Sequence, residues 1–432
     1  VPHAHAHAGP PPPTGPAARA TATRARALLA AVLVPVALLT AVGAWWLWPS
    51  ADARPPVIET DGPGVTYVRA DVVAVDATDD GMEQATVLLP DGTQAPAHVP
   101  PEYVPELSTG DTVRLARMEL PATALDPLAD PEATTTTYVF VDFVRGPPMV
   151  LLAVVFVVLV VLVARWRGLA ALVGMGVGLG VVVVFTLPAL LQGRPAVPVA
   201  LVTSVAIMFA VLYLAHGVSV RTSTALAGTL VGLVATAGIA AWAGGAAHLT
   251  GLSGEDALDL MSVAPEVRLR AVLVCGIVLA GLGVLNDVTI TQASAVWELH
   301  AARPGSTWRQ LFGQGMRIGR DHIASTVYTI VFAYVGAALP LVLLVSLSDR
   351  DLLGVLGSGE VAEEVVRTLV GSIGLVLAIP VTTALAASLV RLSRAGGAVD
   401  GADDEHGPDA VPGGADPQDV GPRAVRSASI DA

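Results

Sequence analysis

Apolar runs near residues 27–48, 148–164, 169–191, 197–215, 223–243, 271–290, 323–347 and 369–390 constrain this chain more than any other feature. Each approaches the roughly 20 residues that a helix needs to cross a bilayer. Backbone in hydrocarbon must satisfy its own polar groups, so runs of this kind are helices. With 53% hydrophobic residues over a length of 432, the expected fold class is a polytopic α-helical membrane protein with eight transmembrane helices.

The first run follows Arg19, Arg24 and Arg26 and ends in Trp45, Trp46 and Trp48, an interfacial belt suited to an anchor. It is longer than the apolar core of a signal peptide, although "ADA" at 51–53 resembles a cleavage site. The uncleaved anchor is the reading taken.

Between residues 49 and 146 the pattern changes to alternation. "VTYVRADVVAVD", "EQATVLLP", "TQAPAHV", "GDTVRLARM" and "TTYVFVDFVR" read as five short strands, with "PDGT" at 90–93 as a turn. Five strands in about 100 residues predict a small all-β, OB-like barrel between the first and second spans. The stretch from Ser50 to Gly146 holds 17 Asp or Glu against five Arg, a net charge of −12 in a chain whose total is −13.

Basic residues orient the rest. With the N-terminus in the cytoplasm, Arg165 and Arg167, Arg221, the group Arg303, Arg309, Arg317 and Arg320, and finally Arg391 and Arg394 all fall inside. That distribution satisfies the positive-inside rule. The expected arrangement is a multi-pass cell-membrane protein with both termini cytoplasmic and the barrel outside. It comprises a His/Pro-rich disordered head (1–26), the anchor (27–48), the β-domain (49–146), a seven-helix membrane domain (147–392) and an acidic disordered tail (393–432).

Several chemistries are excluded. The chain has no lysine, which removes Schiff-base and P-loop lysine mechanisms. Its single cysteine, Cys275, permits neither an intrachain disulfide nor a cysteine-based zinc or redox centre. His3, His5 and His7 alternate in the head, where they could hold a soft metal ion or be incidental. No HExxH or GxSxG is present, so no enzyme activity, cofactor or nucleic-acid partner is expected. "GMGVGLG" at 174–180 lies inside an apolar run, so its glycines serve helix packing rather than a nucleotide. Gly174 and Gly178, and likewise Gly228 and Gly232, offer faces for packing or for pairing with a second copy.

Of the 37 acids, only Asp287, Glu298 and Asp321 fall outside the barrel, the two later segments expected outside (244–267 and 348–367) and the tail. From Ala271 to Leu285 is roughly 22 Å of helix, so Asn286 and Asp287 should lie within the bilayer. An unpaired carboxylate there costs about 2.5–3.5 kcal/mol on insertion scales. Asp287, Thr291, Ser294 and Glu298 follow at i, i+4, i+7 and i+11 on one helix face; Asp321, Ser325 and Tyr328 repeat the first three intervals on the next span. These stripes predict a polar inlet from the cytoplasmic side between the sixth and seventh spans. His322 and His300 stand where a proton relay or cation ligand would be useful. The competing reading pairs Asp287 and Asp321 with Arg317 or Arg320 and makes the cluster structural.

"GVLNDVTITQASAVWEL" and "GRDHIASTVYTIVFAYVGAALP", with the "DFVRGPP" join and the "HGVSVRT" turn, resemble the bacterial YibE/F-like membrane protein family over about residues 28–392. That resemblance implies a permease-like protein handling a small solute or ion of unnamed identity, and it carries no catalytic assignment. The alternative is a membrane scaffold or sensor whose barrel binds an exterior partner.

Overall fold

The computed structural model describes residues 16–50, 65–76, 84–121, 134–347 and 351–394. His3, His5, His7, the "ADA" at 51–53 and the tail beyond Arg394 lie outside the described residues.

Strands β1 (Val65–Asp76), β2 (Gln84–Leu88), β3 (Gln94–His98), β4 (Thr112–Pro121) and β5 (Thr134–Phe143) close a barrel in the order β1-β2-β3-β5-β4. All five coincide with the alternating stretches of the sequence. β1 pairs antiparallel with both β2 and β4, and a short parallel pairing of β3 with β5 completes the ring. Alternation puts Val72, Ala85, Val87, Ala97, Val113, Leu115 and Phe140 into one buried core. In the β2–β3 turn Gly92 takes φ +84°, which glycine adopts without strain. The Thr93 hydroxyl and backbone N–H both donate to Asp91 Oδ1, at 2.6 and 2.9 Å, and hold that carboxyl below its ordinary range.

The remainder is helical. α1 (Pro16–Leu47) packs on the helical core through Leu29, Leu33 and Leu47. After it, the Ser50 amide donates to Gln192 Oε1 at 3.0 Å. α2 (Gly146–Val181) continues through a π-turn (Val182–Thr186) into α3 (Leu187–Leu191). α4 (Ala196–His216) ends at Gly217 with φ +72°, and α5 (Val220–Ala246) is capped by Ser219, which accepts from the Thr222 amide. The short α6 (Glu255–Val263) precedes α7 (Leu269–Ala302), α8 (Trp308–Ala337), α9 (Leu339–Ser346), α10 (Leu352–Leu356) and α11 (Gly359–Arg394).

Among the described residues, six helices are long and apolar enough to cross a membrane, or seven if α8 and α9 form one span bent by 73°. Eight were expected. The difference lies at Gly146–Leu191, where the predicted spans 148–164 and 169–191 run as one 46-residue helical stretch. No coil separates them; Arg165 alone leaves helical geometry, at φ 55° and ψ −135°. That left-handed φ in a non-glycine residue is uncommon and makes a sharp break. A Cβ at Gly168 would lie 2.5 Å from the Val160 carbonyl oxygen, whereas eight residues of straight helix span about 12 Å. The stretch is therefore strongly folded at Arg165.

At the centre, α5, α7 and α11 interlock through small residues. A Cβ on Gly228 would collide with the Thr382 hydroxyl, and one on Gly232 would lie 2.8 Å from Leu285 Cδ2. A Cβ on Gly174 would lie 3.4 Å from Val211 Cα, and one on Gly178 3.4 Å from Ile207 Cγ2, both on α4. All four glycines proposed as self-association faces are thus used for packing within the chain.

Candidate functional site

α7 and α8 form an antiparallel hairpin. A reciprocal cap starts α8: the Gln310 amide donates to Thr307 Oγ1, and the Thr307 amide donates to Gln310 Oε1. Trp308 Nε1 donates to Ser388 Oγ at 3.0 Å, tying this end of the hairpin to α11. Just beyond, Gln292 Nε2 donates to the Gly315 carbonyl at 2.8 Å and to Thr383 Oγ1 at 2.7 Å. α8 comes this close because Gly315 and Gly319 lack side chains. A Cβ at Gly319 would lie 2.6 Å from Ile379 Cγ2, and one at Gly315 would lie 2.8 Å from Thr383 Cγ2.

Farther from the loop the hairpin opens. Between α7 and α8 lies a cavity of about 380 Å³, walled by Ala280, Gly283, Val284, Ile330 and Ala333 and reaching Gly371 of α11. Asp287, Thr326, Thr329 and Tyr334 bring its polar groups. The Thr329 hydroxyl donates to the Ser325 carbonyl at 2.8 Å, leaving its lone pairs as acceptors. A second cavity, of about 420 Å³, adjoins the bend between α8 and α9 and is lined by Ala338, Pro340, Glu360, Glu364 and Arg367. Tyr334 lines both. Arg367 Nε lies 3.6 Å from Glu364 Oε2. The neighbouring Glu363 instead accepts from the Gly251 amide and Ser253 hydroxyl, joining the α5–α6 segment to α11.

The expected stripes are partly realised. Asp287, Thr291 and Glu298 are exposed along one face of α7, with Ser294 half-buried; Asp321 and Tyr328 are exposed on α8, with Ser325 half-buried. Of all the predicted site residues, Asp287 is the one that lines the cavity. Thr291 donates to the carbonyl of Asp287, and Ser325 to that of His322, so both hydroxyls bond their own helix. Asn286 Oδ1 and His322 Nε2 are buried without a hydrogen-bond partner among the described residues. His300 is buried near the loop end of α7.

Two expectations change. The opening between α7 and α8 lies on the far side of Asp287 from the loop, and the loop side is where Gln292, Gly315 and Gly319 close the seam. Among the described residues no ion pair joins Asp287 or Asp321 to Arg317 or Arg320; both arginines are exposed.

The YibE/F-like protein family model matches residues 152–392. The chain belongs to the YibE/F-like family. Its matched region contains both cavities and the Gln292 contacts, and leaves out α1 and the barrel, which the resemblance over 28–392 had included. Family and long apolar helices together point to a membrane protein. Neither a curated protein nor a solved structure matches the chain.

Sequence reasoning missed Gln292, Thr326, Thr329 and Tyr334. Gln292 sits one residue beyond the exposed stripe, facing α8 and α11, and helical spacing alone does not reveal which face has a partner. Thr326 and Thr329 share an i, i+3 face that the search for acids passed over.

Proposed function

We propose that this YibE/F-like protein is a permease-like transporter whose solute path runs between α7 and α8 and starts at Asp287. The observation that carries this reading is the cavity itself: an acid in an apolar span borders about 380 Å³ of space and, among the described residues, has no cationic partner within salt-bridge distance. A carboxylate in such a place destabilises the span unless something compensates its charge, and a bound cation would do so. The bend between α8 and α9 supports the reading, since broken helices commonly border transport sites.

The proposed topology has eight spans. Gly146–Leu191 crosses twice, folded at Arg165, because 46 helical residues would extend about 69 Å against a hydrocarbon thickness of ~30 Å. α8 and α9 form the seventh span. The OB-like barrel then lies outside the cell membrane and both termini inside. Reporters fused at Gly92 should read exterior, and those at Gly305 and Gly401 cytoplasmic; a cytoplasmic Gly92 signal overturns the orientation.

The functional test is Asp287→Asn in proteoliposomes offered a panel of inorganic cations and organic amines. Wild-type protein should move at least one of them, and the variant none. Folded yield should not fall, because no arginine loses a partner and a charge leaves the span. An Asp287→Asn protein that transports normally rules the path out.

A further inference from the structure

The cavity's chemistry narrows the class of solute. We infer that the α7–α8 cavity takes an organic cation with an apolar body, its charged end against Asp287, and that Tyr334 separates it from the acidic cavity at Glu360 and Glu364. This rests on the proposed path and names what travels along it.

Three observations converge. First, about 380 Å³ is within the usual range for small-molecule pockets and far above the ~30 Å³ share of one water. Second, the wall is built largely from Ala280, Gly283, Val284, Ile330 and Ala333. A hard divalent ion needs about six oxygen ligands at close range, and an alkyl wall does not replace its hydration shell. An organic cation brings apolar surface that matches this wall and presents N–H donors to the polar end. That end offers the Asp287 carboxylate and the acceptor lone pairs of Thr329. Third, the neighbouring cavity carries Glu360 and Glu364 against a single Arg367, itself beside Glu364. Both cavities favour positive charge, and Tyr334 lines both of them.

The test measures binding without a gradient, using the purified full chain in detergent. Equilibrium dialysis compares phenylbutylammonium with phenylbutyrate, which has a similar body and the opposite charge. The cation should bind saturably and the anion should not. Asp287→Asn should weaken cation binding about tenfold or more, a loss of about 1.4 kcal/mol. Equal binding of the two probes, or undiminished binding by a folded Asp287→Asn protein, overturns the inference. Should that variant fail to fold, Gly283→Val decides. A Cβ at Gly283 meets nothing within 4 Å, so the new side chain enters the cavity without displacing a neighbour. Unchanged affinity in Gly283→Val overturns the inference, and lost affinity supports it. This outcome is separable from transport. Asp287-dependent flux of an inorganic cation, with no binding of phenylbutylammonium, overturns the solute class and leaves the path standing. Asp287-dependent binding without uptake into vesicles upholds the site and overturns the transport reading.

Discussion

The two ends of the α7–α8 hairpin are built from similar residues and pack in opposite ways. Near the loop, Gly315 and Gly319 face Gln292, Ile379 and Thr383, and the gap left by each missing side chain is filled by a larger one across it. Past Asp287, Ala280 and Gly283 on α7 face Ala333 on α8, flanked by Val284, Ile330 and Tyr334, and a cavity is left between them. Small residues close a helix pair when a large partner stands opposite, and small against small leaves a void. The polar groups follow suit. Gln292 at the closed end spends both N–H groups on neighbouring helices, whereas Asp287 at the open end faces the cavity. A polar residue in an apolar helix is therefore a fastening or a binding group according to the size of what faces it.

The strongest way to break this contrast is to fill the closed end. Gly319→Val places atoms where a Cβ already lies 2.6 Å from Ile379 Cγ2. Overpacking of that kind typically costs about 1–3 kcal/mol. The melting temperature in detergent should fall clearly, and folded yield with it. An unaltered melting temperature would mean that α8 does not pack this tightly.

A smaller effect is expected at Gln292. Gln292→Leu keeps the volume but leaves the Gly315 carbonyl and the Thr383 hydroxyl without this donor. Thr383 still donates to the Ile379 carbonyl, which limits the damage. Interhelical hydrogen bonds in membranes average about 0.6 kcal/mol and reach ~1.7, so the expected loss is about 1 kcal/mol. A double-mutant cycle with Thr383→Val checks it by thermal or chemical unfolding. Strictly additive losses would show that the two side chains do not interact. Binding at the open end should persist in Gln292→Leu, in contrast to Asp287→Asn, which should lose binding and keep its stability.

Much of the fold was legible in the sequence because period and length are local properties. The five strands lie where alternation put them, and the Gly228/Gly232 pair packs as its spacing suggested. The join at Arg165 was less legible: two apolar runs predict two spans, and whether a loop or one strained residue connects them depends on the backbone. The site was legible only at Asp287. A lone acid stands out against an apolar background, but Thr326, Thr329 and Tyr334 are ordinary in a membrane helix until another helix faces them. The direction of the opening was misread for a related reason. Thr291, Ser294 and Ser325 suggested a wet stripe toward the loop, yet Thr291 and Ser325 donate to carbonyls of their own helices, as hydroxyls in helices readily do.

The smallest expected change in stability is at Gly283, and it gives the sharpest reading of the contrast. Gly283 and Gly319 are both helical glycines in the same hairpin, and both are replaced by valine. At Gly319 the new side chain meets α11. At Gly283 it meets empty space, since nothing lies within 4 Å of its Cβ position. Replacing glycine in a helix interior also recovers a few tenths of a kcal/mol of propensity, valine being about 0.6 and glycine about 1 kcal/mol less favourable than alanine. Gly283→Val should therefore melt at or slightly above the wild-type temperature while losing phenylbutylammonium binding. The two valines then separate stability from binding along one seam. A Gly283→Val protein as destabilised as Gly319→Val would show that α7 and α8 touch beyond Asp287, and the open end would disappear as a distinct region.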